Sequence, residues 1–199
     1  MENILHRDIL EIYRYLKGDM EECFQHTCQL VQTEIETSGS QIWDELKEKL
    51  DEVLKLVAEM QKRQKKGNIQ YLGFYFLQNS IWRDKLNFQV NALDDSFYLD
   101  ESETARCFCP AFLQDKYGSD ISCLYEKAKE KIIRIQKYEL VKLKEYYAVY
   151  YYSIMYRMIE SLAEKIMLEV KESNVRITDK FKIIYGGYMD RATIIYTKE

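Results

Sequence analysis

Apolar residues at Leu5, Ile9, Ile12 and Leu16 recur at spacings of four, three and four, which places them on one face of a helix beginning near Ile4. Gly18 interrupts that pattern. Asp19, followed three residues later by Glu22, offers an acidic counterpart of the capping box, so a second helix is predicted from Met20 to about Glu36. Thr37, Ser38, Gly39 and Ser40 then read as a loop. Beyond it Trp43, Leu46, Leu50, Val53, Val57 and Met60 alternate steps of three and four, a heptad seam that calls for a straight helix packed along a partner. That helix is expected to end near Lys66, where Gly67 and Asn68 supply left-handed geometry and a run of lysines and Arg63 suits the negative end of the dipole.

The periodicity changes after Ile69. Residues 69–99 are rich in aromatic and β-branched side chains without helical spacing, and Phe88, Val90 and Ala92 alternate with Asn87, Gln89 and Asn91. Two antiparallel strands are predicted, about Ile69 to Ser80 and Leu86 to Asp94, turning at Asn79 and Arg83 to Lys85. Lys180 to Gly186 and Ala192 to Thr197 flank a five-residue turn and read as a second hairpin. Between the strand pairs a helical pattern runs from about Asp120 to Lys171 with no proline or glycine. Fifty helical residues would reach about 75 Å, far beyond a compact chain of this size, so the helix must break, bend or project. Its middle, YYAVYYYSIMY over residues 146–156, is apolar or aromatic all round and predicts passage through the interior.

These elements imply an α+β fold. A long-helix bundle or helical hairpin, drawn from residues 1–66 and 120–172, would pack on a small four-stranded antiparallel sheet made by the strand pair 69–94 and the hairpin 180–197. With 199 residues, one proline and seven glycines, no flexible linker divides the chain, which points to a single domain over 1–199. No run of 18 apolar residues marks a membrane span, and the first ten residues carry charges rather than an apolar signal core, so a cytoplasmic protein is expected.

The formal charge is −4, with residues 127–199 holding 15 bases against 10 acids. Lys127, Lys131, Arg134 and Lys142 on the long helix are interleaved with Glu126, Glu130 and Glu145, which explains them as helical ion pairs and reads against a nucleic-acid partner. Within the predicted helix seam, Glu139 and Arg157 are polar groups among apolar neighbours. A pocket lined by Tyr146 and Tyr150, in which Arg157 holds a small carboxylate or phosphate and Glu139 contributes a second polar group, is the binding site these positions suggest. The heptad seam adds a homodimer as a candidate partner.

A second class of chemistry is carried by thiols and acids. Cys107 and Cys109 form a C-x-C before Pro110, Cys123 follows, and Cys23, His26 and Cys28 cluster on the second helix. Asp94, Asp95, Asp100, Glu101 and Glu103 gather five acids in ten residues. Neither spacing matches a zinc or calcium motif, and no phosphate loop, dinucleotide fingerprint or nucleophile elbow is present. No cofactor is identified. The expected function is therefore a non-enzymatic binding or regulatory module with an aromatic-rich pocket or a helical interface. The alternative is a thiol- or metal-dependent enzyme using Cys107, Cys109 and the acidic segment 94–103.

Overall fold

The computed structural model describes residues 9–198; Leu5, His6 and the predicted helix start at Ile4 lie outside them. The elements are α1 (Ile9–Lys62), β1 (Ile69–Phe76), β2 (Phe88–Leu93), β3 (Arg106–Phe108), α2 (Ala111–Lys131), α3 (Lys137–Glu172), β4 (Ile177–Gly187) and β5 (Ala192–Thr197). Short 3-10 helices follow β1 at Gln78–Arg83 and β2 at Phe97–Leu99.

The fold is α+β, but the sheet has five strands in the order β3-β2-β1-β4-β5 and is mixed, not four-stranded and antiparallel. Both predicted pairs form with antiparallel registers, Phe74 opposite Val90 in one and Tyr185 opposite Thr193 in the other. They join through a parallel contact of β1 with β4. The fifth strand, β3, carries Cys107 opposite Gln89. It is only three residues long, too short for a period to show.

The helices differ from expectation where breaks were read. Gly18 lies inside α1, with nothing within 4 Å of the Cβ it lacks. The predicted loop at 37–40 shrinks to a kink at Ser38 (φ −132°, ψ 18°). A glycine costs a helix only about 1 kcal/mol, and the first arm of α1 recovers that by lying antiparallel along α2: Asp19 pairs with Lys127 and Lys131, Thr27 hydrogen-bonds Asp120, and Glu34 pairs with Lys116. The long helix does break. α2 starts at Ala111 behind Pro110 and ends at Lys131, Arg134 takes a left-handed φ of 56°, and α3 begins at Lys137.

Trp43, Leu46, Leu50, Val53 and Val57 are all buried, so the heptad seam is covered within the chain. Its helix runs beside the second half of α3, where Lys165 sits 4.1 Å from the Trp43 ring centre and Lys47 pairs with Glu169. Gln61, at its end, accepts from the Arg176 amide (2.8 Å) and donates to the carbonyls of Gly67 (2.7 Å) and Arg176 (2.9 Å), tying helix to sheet.

The sheet is enclosed on both faces. Leu72, Phe74 and Phe76 share the face toward α3, where Phe76 stacks on Tyr152 with centroids 4.0 Å apart and the Tyr185 hydroxyl donates to the Tyr152 carbonyl (2.7 Å). Tyr71, Gly73 and Tyr75 alternate onto the opposite face, which the acidic segment covers: Phe97 packs 4.9 Å from Tyr71 and Tyr98 lies 6.0 Å from Tyr75. Glycine is required at 73, since a Cβ there would meet the Tyr75 ring at 2.3 Å. This explains why every residue of β2 is buried. The segment is held down by Lys66, whose ammonium donates to Asp100 (2.5 Å), the Ser102 hydroxyl (2.7 Å) and the Ser102 carbonyl (3.2 Å). The acidic segment, offered with Cys107 and Cys109 as the enzymatic alternative, is thus a strap with its own internal cation.

Candidate functional site

One stripe of α3 is spared by packing. Lys142, Tyr146, Val149, Ser153 and Tyr156 fall at steps of three and four, and Val149 remains 61% exposed in the middle of the aromatic segment. These residues form one wall of a cleft of about 1040 Å³. The facing wall is the 3-10 helix after β1, with Gln78, Ile81 and Trp82, and the β4–β5 turn contributes Asp190 and Arg191. Phe76, Tyr152 and Tyr185, all sheltered by the sheet, lie at the base.

The local geometry follows from the sequence. Asp84 (φ 57°) terminates the 3-10 helix and pairs with the buried Lys144 ammonium at 2.6 Å, which fixes the helix against α3. The turn comes close because Gly186 has no side chain: a Cβ there would lie 2.3 Å from the Arg191 carbonyl oxygen. Trp82 is 68% exposed, yet its indole N–H donates to Glu145 on α3, so the ring is held across the gap between the walls. Burial raises the hydroxyl pKa values of Tyr152 and Tyr185 well above that of a free phenol, with Glu145 adding to the first and Tyr152 to the second. At neutral pH these groups are hydrogen-bond partners rather than bases.

The charges along the cleft are unequal in their commitments. Glu145 is engaged by Trp82, and Asp190 accepts from the Arg191 amide at 2.7 Å. Lys142 lies 6.0 Å from the Tyr138 ring centre, and neither it nor Arg191 pairs with a carboxylate among the described residues. Glu145 and Asp190, which accept from neutral donors, keep their negative charges in the same lining, beyond ion-pair distance of either cation.

The residues singled out in the sequence separate. Tyr146 lines this cleft and packs on Tyr13 at 5.0 Å. Tyr150 turns toward α1, 4.7 Å from Phe24. Glu139 is buried because α3 begins at Lys137: as the third residue of that helix it accepts from the Gln136 amide (2.6 Å) and closes a capping box. Arg157 is 77% exposed and donates to Glu160 at 2.8 Å, the intrahelical pairing its spacing permits.

Burial works against thiolate formation at Cys23, Cys28, Cys107 and Cys109. Cys107, exposed on β3, has its pKa raised by burial of the sulfur and by Glu103, and Cys109, which donates to the Gln114 side chain at 3.1 Å, is raised chiefly by burial. Cys23 is pushed up to about 12 by burial, then by Cys123 and Asp120. A raised pKa means little thiolate at neutral pH. Among the described residues no group of three or more His, Cys, Asp or Glu is arranged to hold a metal ion, and no helix is long and apolar enough to cross a membrane.

Phe76, Trp82, Tyr152 and Arg191 were not singled out by sequence. The signal that pointed toward them was the apolar excess of residues 146–156, which marks the wall but not what faces it. No family model, curated protein or solved structure matches the chain.

Proposed function

We propose that the protein is a non-enzymatic binding module whose working surface is the aromatic cleft, and that it takes a planar aromatic ligand bearing an anionic group. The observation that carries this reading is Trp82: a large indole, 68% exposed, whose N–H donates to Glu145, in the lining of the cleft that Phe76 and Tyr152, stacked on each other, also border. A fixed aromatic surface loses little entropy when a flat ligand stacks on it. Lys142 and Arg191 supply the anion contacts at the rim, in place of the Arg157 suggested by sequence.

Anilinonaphthalene sulfonate, an aromatic anion, is the direct probe. Saturable binding at one site is expected, with quenching of Trp82 emission that disappears in Trp82→Phe. Lys142→Ala with Arg191→Ala should weaken it by about tenfold, equivalent to about 1.4 kcal/mol. Val149→Glu, which sets a carboxylate into the cleft from an exposed position, should weaken it further. Equal affinity in all these variants would locate the dye elsewhere and remove the proposal.

A further inference from the structure

Interhelical contacts set the register of the first arm of α1 against α2. Thr27 donates to Asp120 at 2.8 Å, and two turns toward the start of α1 Asp19 accepts from Lys127 at 3.2 Å. Cys23 is four residues from both Asp19 and Thr27, while Cys123 is three residues from Asp120 and four from Lys127. Each cysteine therefore stands about 4.5–6 Å along its helix from the Thr27–Asp120 contact, on the stripe that faces the neighbouring helix. Because the helices are antiparallel, the two steps lead to the same level, and the thiols meet across the interface. Cys123 acts on the Cys23 thiol through a side-chain contact as well as its charge, and the Lys127 ammonium lies within electrostatic reach of both sulfurs.

The other thiols do not share this placement. Cys28, one residue past Thr27, is turned about 100° off the stripe, and Cys107 lies on β3 with Cys109 just beyond it. The two facing sulfurs also differ in access: Cys123 is exposed and Cys23 is half-buried. An external reagent meets Cys123 first.

We propose that Cys23 and Cys123 are a redox pair, which a small-molecule disulfide of the glutathione kind converts into an intramolecular disulfide clasping the first arm of α1 to α2. The exchange has two steps. The Cys123 thiolate attacks one sulfur of the reagent, whose other half leaves as thiolate and takes up a proton. Cys23 then gives its proton to solvent and attacks the Cys123 sulfur of the mixed disulfide, expelling the second half, which is protonated in turn. Two protein thiols lose two electrons and two protons, and the reagent is reduced to two thiols. Cys23 is a slow thiol toward any reagent in solution, but a sulfur held beside its target has a high effective concentration. The Cys123 charge that opposes its ionisation is also gone once that sulfur is in the mixed disulfide. Lys127 favours the attacking thiolate.

Peptide mapping of the whole protein by mass spectrometry, after incubation with oxidised glutathione and an acid quench, tests this. A linked Cys23–Cys123 peptide pair, lighter by two hydrogens, is expected, and dithiothreitol should release it. Cys23→Ser removes the resolving thiol, so Cys123 should then accumulate as the glutathione adduct. Cys123→Ser should leave Cys23 free. The bond closes a loop of 100 residues, so oxidation of the wild type should raise the melting temperature by up to roughly 15 °C, with no such rise in either variant. The inference is overturned if Cys123 of the wild type stays free or stops at the adduct, if it links to Cys28, Cys107, Cys109 or a second chain instead, or if oxidation lowers the melting temperature.

Discussion

Removing the Lys66 ammonium tests how the acidic strap is held. The side chains of Lys66 and Asp100 are 0% and 3% exposed. Lys66→Met keeps the length of the side chain and deletes all three of its hydrogen bonds, leaving Asp100 with the amides of Asp94 (3.2 Å) and Ser102 (3.0 Å) and the Ser102 hydroxyl. An uncompensated buried charge of this kind costs about 3–5 kcal/mol, which for a chain of this size lowers the melting temperature by roughly 6–20 °C. Urea titration followed by emission of the buried Trp43 measures the loss, and Asp100→Asn in the Lys66→Met background should recover part of it, because no charge is then left buried. Acid supplies a second check. Burial works to raise the Asp100 pKa, but the bonds from Lys66 and Ser102 outweigh it and the group titrates below its ordinary 3.8. A depressed folded pKa gives stability that is fully present above that ordinary value and is lost as pH falls through the folded one. In Lys66→Met burial acts on Asp100 without the opposing lysine, so the gap between wild type and variant should narrow as pH falls from neutrality through the variant's raised pKa and be closed once Asp100 is protonated in both, below its ordinary 3.8. A loss under about 0.5 kcal/mol at neutral pH, the range of an ordinary surface change, would refute the reading of this pair as the clasp of the strap.

Three further outcomes are expected. Gly73→Ala forces a Cβ to within 2.3 Å of the Tyr75 ring, so it should destabilise by about 1–3 kcal/mol in urea titration; an unchanged midpoint would show that the ring moves freely. Tyr147→Phe and Tyr151→Phe each delete one bond to the Asp120 carboxylate and should each cost about 1.5–3 kcal/mol, with the double variant losing more than the sum because only Thr27 remains; strict additivity would argue against a shared acceptor. In timed alkylation read by mass spectrometry, Cys23, raised from 9.0 to about 12, should react roughly a thousandfold more slowly than a free thiol near neutral pH, and Cys107 should also fall below the free thiol while outpacing Cys23; fast labelling of either contradicts the thiol environments.

What the sequence makes legible here are features with a local cause. The seam from Trp43 to Val57 is buried as its heptad spacing requires, and both hairpins form where alternation meets turn residues. Features with a distant cause do not show. The parallel joining of β1 to β4 leaves no mark in either strand, and β3 is recruited by pairing with β2 rather than by any pattern of its own. The break between α2 and α3 is demanded by length, yet its position rests on Arg134 adopting a left-handed conformation that neither glycine nor proline announces. Glu139 follows from the same break: along one continuous helix it is a polar group in an apolar seam, whereas at the third position of a new helix it is a cap. Asp120 reads as the start of a helical stretch and becomes the centre of a hydroxyl network only when α1 and α3 close around it.

The aromatic segment of α3 joins these lines of argument. A helix that is apolar all round is expected to be enclosed all round, and α3 is enclosed on only part of its circumference. Tyr147 and Tyr151 turn toward α1 and α2, where their hydroxyls meet Asp120, and Tyr152 is buried on the sheet side against Phe76. The remaining stripe, with Val149 and Tyr146 on it, borders the cleft. Packing within the chain explains the first two groups of apolar residues but not the third, because nothing in the described structure covers Val149. Under the proposed function, an apolar stripe that faces Trp82 across a gap, with two unpaired cations at the rim, is a ligand surface. Val149→Glu separates the two causes: were the stripe only an unused face, the exposed carboxylate would change neither stability nor dye binding, whereas a ligand surface loses its occupant while the fold keeps its melting temperature.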